Sequence, residues 1–125
     1  MILEANKVLP NAYAPYSQFT VAACICTDKN NFYTGVNVEN SAYGLTSCAE
    51  ASAISNMILA GEKCIKCIVI LAGNNLLCPP CGGCRQRIQE FATATTDIHL
   101  CNNTSVLQSI NIDELLPLAF NLKPK

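Results

Sequence analysis

The stretch that decides the fold begins at position 48 and reads Cys48-Ala-Glu-Ala-Ser-Ala-Ile-Ser-Asn-Met-Ile-Leu-Ala60. Alanine is frequent in it, and alanine has the highest helix propensity, so the stretch predicts an α-helix. Gly61 follows directly, and glycine is common just past the C-terminus of a helix. Apolar runs stand on both sides, at residues 32–38 and 65–71, and each predicts a strand. The centre of the chain therefore predicts strands alternating with a helix.

The remaining elements extend this unit in both directions. Residues 19–27 are mostly apolar, as expected of a strand covered on both faces, and the turn residues 28–31 join them to 32–38 as a hairpin. We further predict helices over 1–9 and 81–91, a last short helix over 112–120 that is interrupted at Pro117, and strands over 97–101 and 106–110. The order αββαβαββα predicts an α/β fold, a three-layer α/β/α sandwich with a mixed five-stranded sheet. With 125 residues and no linker, we expect a single domain over residues 1–125.

Composition argues against several classes of partner. The net charge of -1 and the pI near 5.7 give no basic surface for a phosphate backbone, so we expect no nucleic-acid binding. No segment has the roughly 18 consecutive apolar residues of a membrane span. The apolar start of the chain contains Glu4 and Lys7, which argues against a secretory signal and favours the cytoplasm. Only 14% of the residues are charged and 50% are hydrophobic, so we expect an oligomer that covers part of the surface.

The chain contains nine cysteines, a high count for its length. A small disulfide-stapled scaffold is one explanation, but the number is odd and the start of the chain does not resemble a secretory signal. The helical and strand patterns can also build a core without staples. We therefore expect reduced thiols, some of which are metal ligands.

Two short motifs carry the chemistry, and each begins a predicted helix. The first is Cys48-Ala-Glu50, and the second is Pro79-Pro-Cys-Gly-Gly-Cys-Arg-Gln86. A helix N-terminus offers free amide donors and about half a positive charge, which favour the thiolate form that binds zinc. Three ligands, Cys48, Cys81 and Cys84, leave the fourth position of a tetrahedral zinc open, as is typical of catalytic sites. Glu50 is two residues past its ligand and is placed to move protons.

Other interpretations of these cysteines remain. The three thiols could be buried small side chains or ligands of a structural zinc, and Cys78 is a rival ligand because it forms a second CxxC with Cys81. Cys64 and Cys67 form another CxxC, but Cys67 lies in a strand-like apolar run, so core packing is favoured there. We predict core or interface positions for the remaining cysteines, Cys24, Cys26 and Cys101. We predict that His99, the one histidine, is structural, and that Arg85 and Arg87 form a solvated helix face.

The two motifs together are similar to the zinc-binding motifs of nucleobase deaminases. The whole chain resembles the small, homotetrameric cytidine deaminases. The resemblance lies in the motifs, in Ala14-Pro-Tyr-Ser-Gln-Phe-Thr-Val-Ala-Ala23, in Gly35-Val-Asn-Val-Glu-Asn-Ser-Ala-Tyr43 and in Leu115-Leu-Pro-Leu-Ala-Phe120. It implies one zinc per chain, a nucleoside substrate, a homotetramer, and deamination of cytidine and 2′-deoxycytidine in pyrimidine salvage.

The resemblance also implies roles for individual residues. Asn37 and Glu39 would hydrogen-bond the ribose hydroxyls, and Phe19 would pack against the pyrimidine ring. The Ala49 backbone and the Glu50 carboxylate would contact the polar edge of the base. Tyr43 and Phe120 would complete the sites of neighbouring subunits; for Phe120 a plain core position is nearly as good an interpretation.

One position departs from the family pattern. Relatives often carry arginine directly after the Cys-Ala-Glu motif, where its guanidinium donates to the thiolates, but this chain has Ala51. We expect helix dipoles, amide donors, or Arg85 or Arg87 to compensate the cluster. Two other functions stay open: a deaminase of a modified cytosine nucleoside of the blasticidin S type, and a non-catalytic nucleoside-binding zinc protein. Glu39 argues against the first and Glu50 against the second.

Overall fold

The computed structural model describes residues 1–122 and contains one five-stranded mixed sheet. The strands are β1 (Val21–Thr27), β2 (Phe32–Val36), β3 (Ile65–Ala72), β4 (Ala92–Cys101) and β5 (Val106–Asn111). The helices are α1 (Ile2–Val8), α2 (Ala49–Leu59), α3 (Gly82–Phe91) and α4 (Ile112–Leu115). The sheet order is β2-β1-β3-β4-β5, in which β3 and β4 are parallel and the other neighbours are antiparallel. The predicted mixed five-stranded sheet is confirmed.

Strand β1 is buried along its whole length because helices cover both faces of the sheet. On one face its Ile25 joins an apolar cluster with Met57 of α2 and Ile88 of α3. On the other face its Cys24 packs with Ala5 of α1. This alternation produces the predicted three layers, α/β/α, with α2 and α3 together on one side.

Two predicted boundaries are wrong for local reasons. Strand β4 begins at Ala92, five residues before the prediction, and its threonine-rich start was missed because it is exposed and lacks an alternation of apolar residues. Helix α4 ends at Leu115 and does not resume after the interruption predicted at Pro117, since Leu116 precedes the proline and a residue before proline is disfavoured in the helical region. The first helix continues past Val8 as a 3₁₀ turn that contains Pro10 in its first positions, where proline is tolerated.

Two broader expectations concern the whole chain. The single domain predicted over 1–125 stays a prediction, and its last three residues lie outside those that the structure describes. Within the described part, no helix has the length and apolar character needed to cross a membrane.

Candidate metal centre

Three cysteines meet where helices α2 and α3 begin. Cys48 is the N-cap of α2, Cys81 is the N-cap of α3, and Cys84 lies in the first turn of α3. Their sulfur atoms all lie within 4.8 Å of one another, and the Cys48 and Cys81 sulfurs are 4.0 Å apart. Zinc–sulfur bonds of about 2.3 Å in a tetrahedral site separate the sulfurs by about 3.8 Å. The cluster therefore fits a zinc ion with only small adjustments.

The three thiols have different electrostatic environments. Hydrogen bonding from the Cys84 backbone is the main cause that lowers the pKa of the exposed Cys81 thiol. Burial raises the pKa of Cys48 and of Cys84, so neither ionises readily without a cation. Two helix N-termini point at the cluster and favour negative charge there. A divalent ion would complete this arrangement because it stabilises all three thiolates at once.

Glu50 lies beside the cluster but outside it. Only 4% of its surface and 1% of that of Ala49 are exposed. Burial raises the pKa of the Glu50 carboxyl, and hydrogen bonding and the charge of Arg87 oppose this rise. Within residues 1–122, the three thiols are the one group with metal-binding geometry, and Glu50 is not part of it. A carboxyl placed in this way can exchange protons near the metal without occupying a ligand position.

Close packing between β2 and α2 sets the start of α2 against the sheet. A Cβ atom added at Gly35 would lie 2.2 Å from the Ala53 nitrogen and 2.6 Å from the Ala49 oxygen. Beyond β2, Val38 and Ser47 exchange two backbone hydrogen bonds of 2.9 Å. Since Ser47 precedes Cys48, these bonds join the chain around Asn37 and Glu39 to the first predicted ligand.

Asn37 links this segment to the entrance of β1. Its side-chain oxygen accepts a hydrogen bond from the Val21 amide at 2.9 Å. Its amide nitrogen donates to the Phe19 carbonyl at 2.8 Å. Through these two bonds Asn37 holds the backbone that carries the Phe19 ring, which is 41% exposed. Its oxygen keeps a second lone pair and its nitrogen a second hydrogen.

Glu39 organises the neighbouring loop. It accepts hydrogen bonds from the Tyr16 amide at 3.0 Å, from the Ser17 amide at 3.1 Å and from the Ser17 hydroxyl. The Ser17 hydroxyl is the main cause that lowers the pKa of Glu39. A cavity of about 250 Å³ is lined by Tyr16, Ser17, Glu39, Tyr43 and Thr46. The cavity is polar on the Glu39 side and adjoins the segment that leads to Cys48.

Comparison with known proteins connects this arrangement to a family. Residues 1–100 match the region described as "Cytidine and deoxycytidylate deaminase zinc-binding region". The chain belongs to this family. A cytidine deaminase from Halalkalibacterium halodurans is 38% identical over 96% of this chain and 91% of the relative, and one from Mycoplasma genitalium is 36% identical over 96% and 92%. The crystal structure of cytidine deaminase from Burkholderia pseudomallei is 34% identical with a TM-score of 0.86, covering 95% of this chain and 96% of that chain.

The matched region of the deaminase family is zinc-binding and includes the three-thiol cluster, so zinc is the cofactor of this deaminase. The predicted site residues fall into separate places in one chain. Tyr43 lines the same cavity as Glu39 and is 78% exposed. Phe120 is 67% exposed and lies beside α3, where Gln86 donates to its carbonyl at 3.0 Å. The contribution of Tyr43 and Phe120 to neighbouring subunits stays a prediction.

The two arginines of this deaminase do not form a plain solvated face. Arg85 is half-buried and donates to the Pro80 carbonyl at 2.9 Å and to the Leu115 carbonyl at 3.0 Å, so that prediction is wrong for Arg85. Arg87 is exposed, but its Nη1 lies 3.8 Å from the Cys84 sulfur. The sequence carried a signal for this contact, because residues three apart on a helix are neighbours.

The other predicted alternatives have structural answers. Cys78 is half-buried and packs against the apolar cluster of α2 and α3, outside the metal-binding group. Cys67 contacts the Met1 sulfur at 3.5 Å and belongs to no metal-binding group in the described chain. His99 is paired through its Nδ1 with the Ser109 hydroxyl at 2.7 Å, as expected of a structural histidine.

Proposed function

We propose that this chain catalyses the hydrolytic deamination of cytidine and 2′-deoxycytidine to uridine and 2′-deoxyuridine, with release of ammonia. The observation that carries the proposal is the buried Glu50 carboxyl beside three thiols at two helix N-termini. The family match and the relatives named cytidine deaminase support the same reaction. The chain is therefore a zinc-dependent deaminase whose chemistry is centred on this cluster.

The chain's own residues hold the metal and move the protons. Cys48, Cys81 and Cys84 would hold one zinc ion per chain, and the bound metal supplies Lewis acidity that makes water a nucleophile at neutral pH. Glu50 would accept a proton from the attacking water and deliver it to N3 of the pyrimidine as the C4–O bond forms. It would then take the proton of the new hydroxyl at C4 and transfer it to the amine, which leaves as ammonia when the C4–N bond breaks. The raised pKa of Glu50, caused by burial, suits a group that must both accept and return a proton.

The residues around the cavity would position the nucleoside. Glu39 and Asn37 would contact the ribose hydroxyls, and the Phe19 ring would pack against the pyrimidine. The Ala49 backbone would contact the base edge beside Glu50. The hydrogen bonds of Asn37 and Glu39 to the loop before β1 support these roles, because they hold Phe19 and the sugar contacts in one rigid unit.

We propose that the active form is a homotetramer in which Tyr43 and Phe120 complete neighbouring sites. The support is their high exposure together with that of other large apolar side chains on the isolated chain, among them Leu45, Leu118 and Leu122. The nine free cysteines of the described chain suit a reducing compartment such as the cytoplasm, where this activity would serve pyrimidine salvage.

Glu50→Gln is the experiment that tests this function. The amide keeps the size of the side chain but cannot transfer a proton, so we expect unchanged zinc content and a rate lower by about 10²- to 10⁴-fold. The assay follows the ultraviolet change on deamination of cytidine, with deoxycytidine, cytosine, adenosine and blasticidin S as comparison substrates. Glu114→Gln, an exposed glutamate of α4, is the matched control and should keep full activity.

The outcomes separate the rival functions. A wild-type chain that binds zinc but converts none of these compounds would favour a non-catalytic binding protein. Preferred turnover of blasticidin S would favour a modified nucleoside as the substrate. A Glu50→Gln chain that keeps more than about a tenth of the wild-type rate would remove Glu50 from proton transfer.

A further inference from the structure

The metal centre carries more negative charge than zinc can neutralise. Three thiolates against one Zn²⁺ leave a net charge of -1 at the cluster, and the Glu50 carboxyl adds to it when ionised. Each thiolate therefore benefits from a further positive partner. Arg85 has other partners: its Nε donates to the Pro80 carbonyl and its Nη1 to the Leu115 carbonyl, and within residues 1–122 it makes no hydrogen bond to the three sulfurs. A cation in direct contact with a ligand sulfur must therefore be another group.

We propose that Arg87 is a positioning residue that neutralises the Cys84 thiolate and so retains zinc, and that Gly83 is required because it leaves room for the Arg87 guanidinium. The proposal rests on the zinc site proposed above. Arg87 follows Cys84 by three positions on α3, which places both side chains on one face of the helix. The Arg87 Nη1 lies 3.8 Å from the Cys84 sulfur, within the range of a charge-assisted contact to sulfur.

Gly83 shows that the guanidinium covers the first turn of α3. A Cβ atom added at Gly83 would lie 3.1 Å from the Arg87 Nη1 and 4.0 Å from the Cys81 sulfur. The guanidinium therefore lies directly against the position of a side chain at residue 83, and it would have to move by a few tenths of an ångström, next to two of the three ligands, to admit one. By contrast, a Cβ atom added at the neighbouring Gly82 would meet nothing within 4 Å. Of the two adjacent glycines, only Gly83 lies against the Arg87 guanidinium.

The contact supplies a charge that the first motif lacks. Ala51, directly after Glu50, carries no charge. Arg87 brings its guanidinium to the cluster from the other helix, three positions after Cys84.

The test measures zinc affinity by competition with a chromogenic chelator at one neutral pH, in purified full-length protein. We expect Arg87→Met to weaken zinc binding about 10- to 100-fold, the usual effect of removing a partner of a metal ligand. Arg87→Lys should recover part of this loss because it restores the charge. Lys66→Met, which removes an exposed lysine of β3, controls for net charge and should bind zinc like the wild type.

The two glycines provide a matched pair. Gly83→Ala should weaken zinc binding in the wild-type background but add nothing in the Arg87→Met background, whereas Gly82→Ala should be neutral in both. The thiolate-to-metal charge-transfer band of the Co²⁺ form should shift on Arg87→Met, which a purely structural role would not produce. The melting temperature of the metal-free protein should stay unchanged.

Each result decides between the possibilities. Equal zinc affinity of Arg87→Met and wild type overturns the proposal, as does an equal loss in the Arg87→Lys variant or an unshifted Co²⁺ band. A Gly83→Ala effect that persists in full beside Arg87→Met overturns the role of Gly83. A wild-type chain that binds no zinc refutes the zinc site itself and the proposal with it. This outcome differs from a failure of the Arg87 proposal alone, because it is seen in the wild type before any variant is compared.

Discussion

Glu39→Ala tests how the sugar is recognised. The Glu39 carboxylate already accepts three hydrogen bonds, from the Tyr16 amide and from the Ser17 amide and hydroxyl. A carboxylate has about four acceptor positions, so about one remains for a ribose hydroxyl in the adjoining cavity. Loss of a hydrogen bond to a charged acceptor costs about 1.5–3 kcal/mol. At about 1.4 kcal/mol per factor of ten, kcat/KM for cytidine should fall about 10- to 150-fold.

A second substrate separates recognition of the sugar from loss of the loop. The substitution also leaves the Tyr16 and Ser17 amides without their acceptor, and the resulting change in the loop would weaken the binding of any nucleoside. 2′,3′-Dideoxycytidine has no ribose hydroxyl to donate, so Glu39→Ala should lower its kcat/KM much less than that of cytidine. Glu114→Ala, at the exposed glutamate of α4, is the control and should affect neither substrate strongly. An equal loss on both substrates would refute a sugar contact and leave Glu39 a role in the loop alone.

The pH dependence offers an independent check. The Ser17 hydroxyl lowers the pKa of Glu39, so the ionised acceptor persists above that lowered pKa and is lost as the pH falls through it. Ser17→Ala raises the pKa of Glu39, and the acid-side loss of kcat/KM for cytidine should then begin at a higher pH. The zinc content of the same samples is followed to exclude metal loss. An unchanged acid limb would contradict the assignment.

Three further predictions concern the metal and the packing. Cys84→Ser should abolish the binding of one zinc per chain, whereas Cys78→Ser should leave metal content unchanged; the reverse result would reassign the ligand. Gly35→Ala should destabilise the fold by about 1–3 kcal/mol or more through overpacking, measured by denaturant unfolding, while Gly44→Ala, with nothing within 4 Å, should be tolerated. Ala51→Arg should tighten zinc binding by less than about tenfold, the effect of one charged hydrogen bond, because the Arg87 guanidinium already contacts the cluster. A larger gain in chelator competition would show that the cluster lacks a cationic partner.

Local patterns placed the candidate metal ligands at helix starts, and the family resemblance indicated that the two starts meet at one metal ion. Cys48 and Cys81 could be placed at helix starts because alanine content, glycine and proline positions determine where short helices begin. Cys84 then follows within one turn, and Glu50 is within two residues of its ligand. Helix geometry fixes the relative positions of residues that are one to four positions apart, so these positions can be predicted without the rest of the fold.

Only the tertiary structure decided how the groups around this centre are used. Asn37 and Glu39 bind amides that are 16 to 23 residues away in the sequence, and Gly35 lies directly against the backbone of α2, which packs on the same face of the sheet. The start of β4 was also missed, since its exposed threonines give a weak local signal. The spacing of Arg87 and Cys84 permits a contact, but many side chains with this spacing on a helix point into solvent and do not pair. Whether the pair forms depends on the space and the charges that distant elements bring to it in the folded chain.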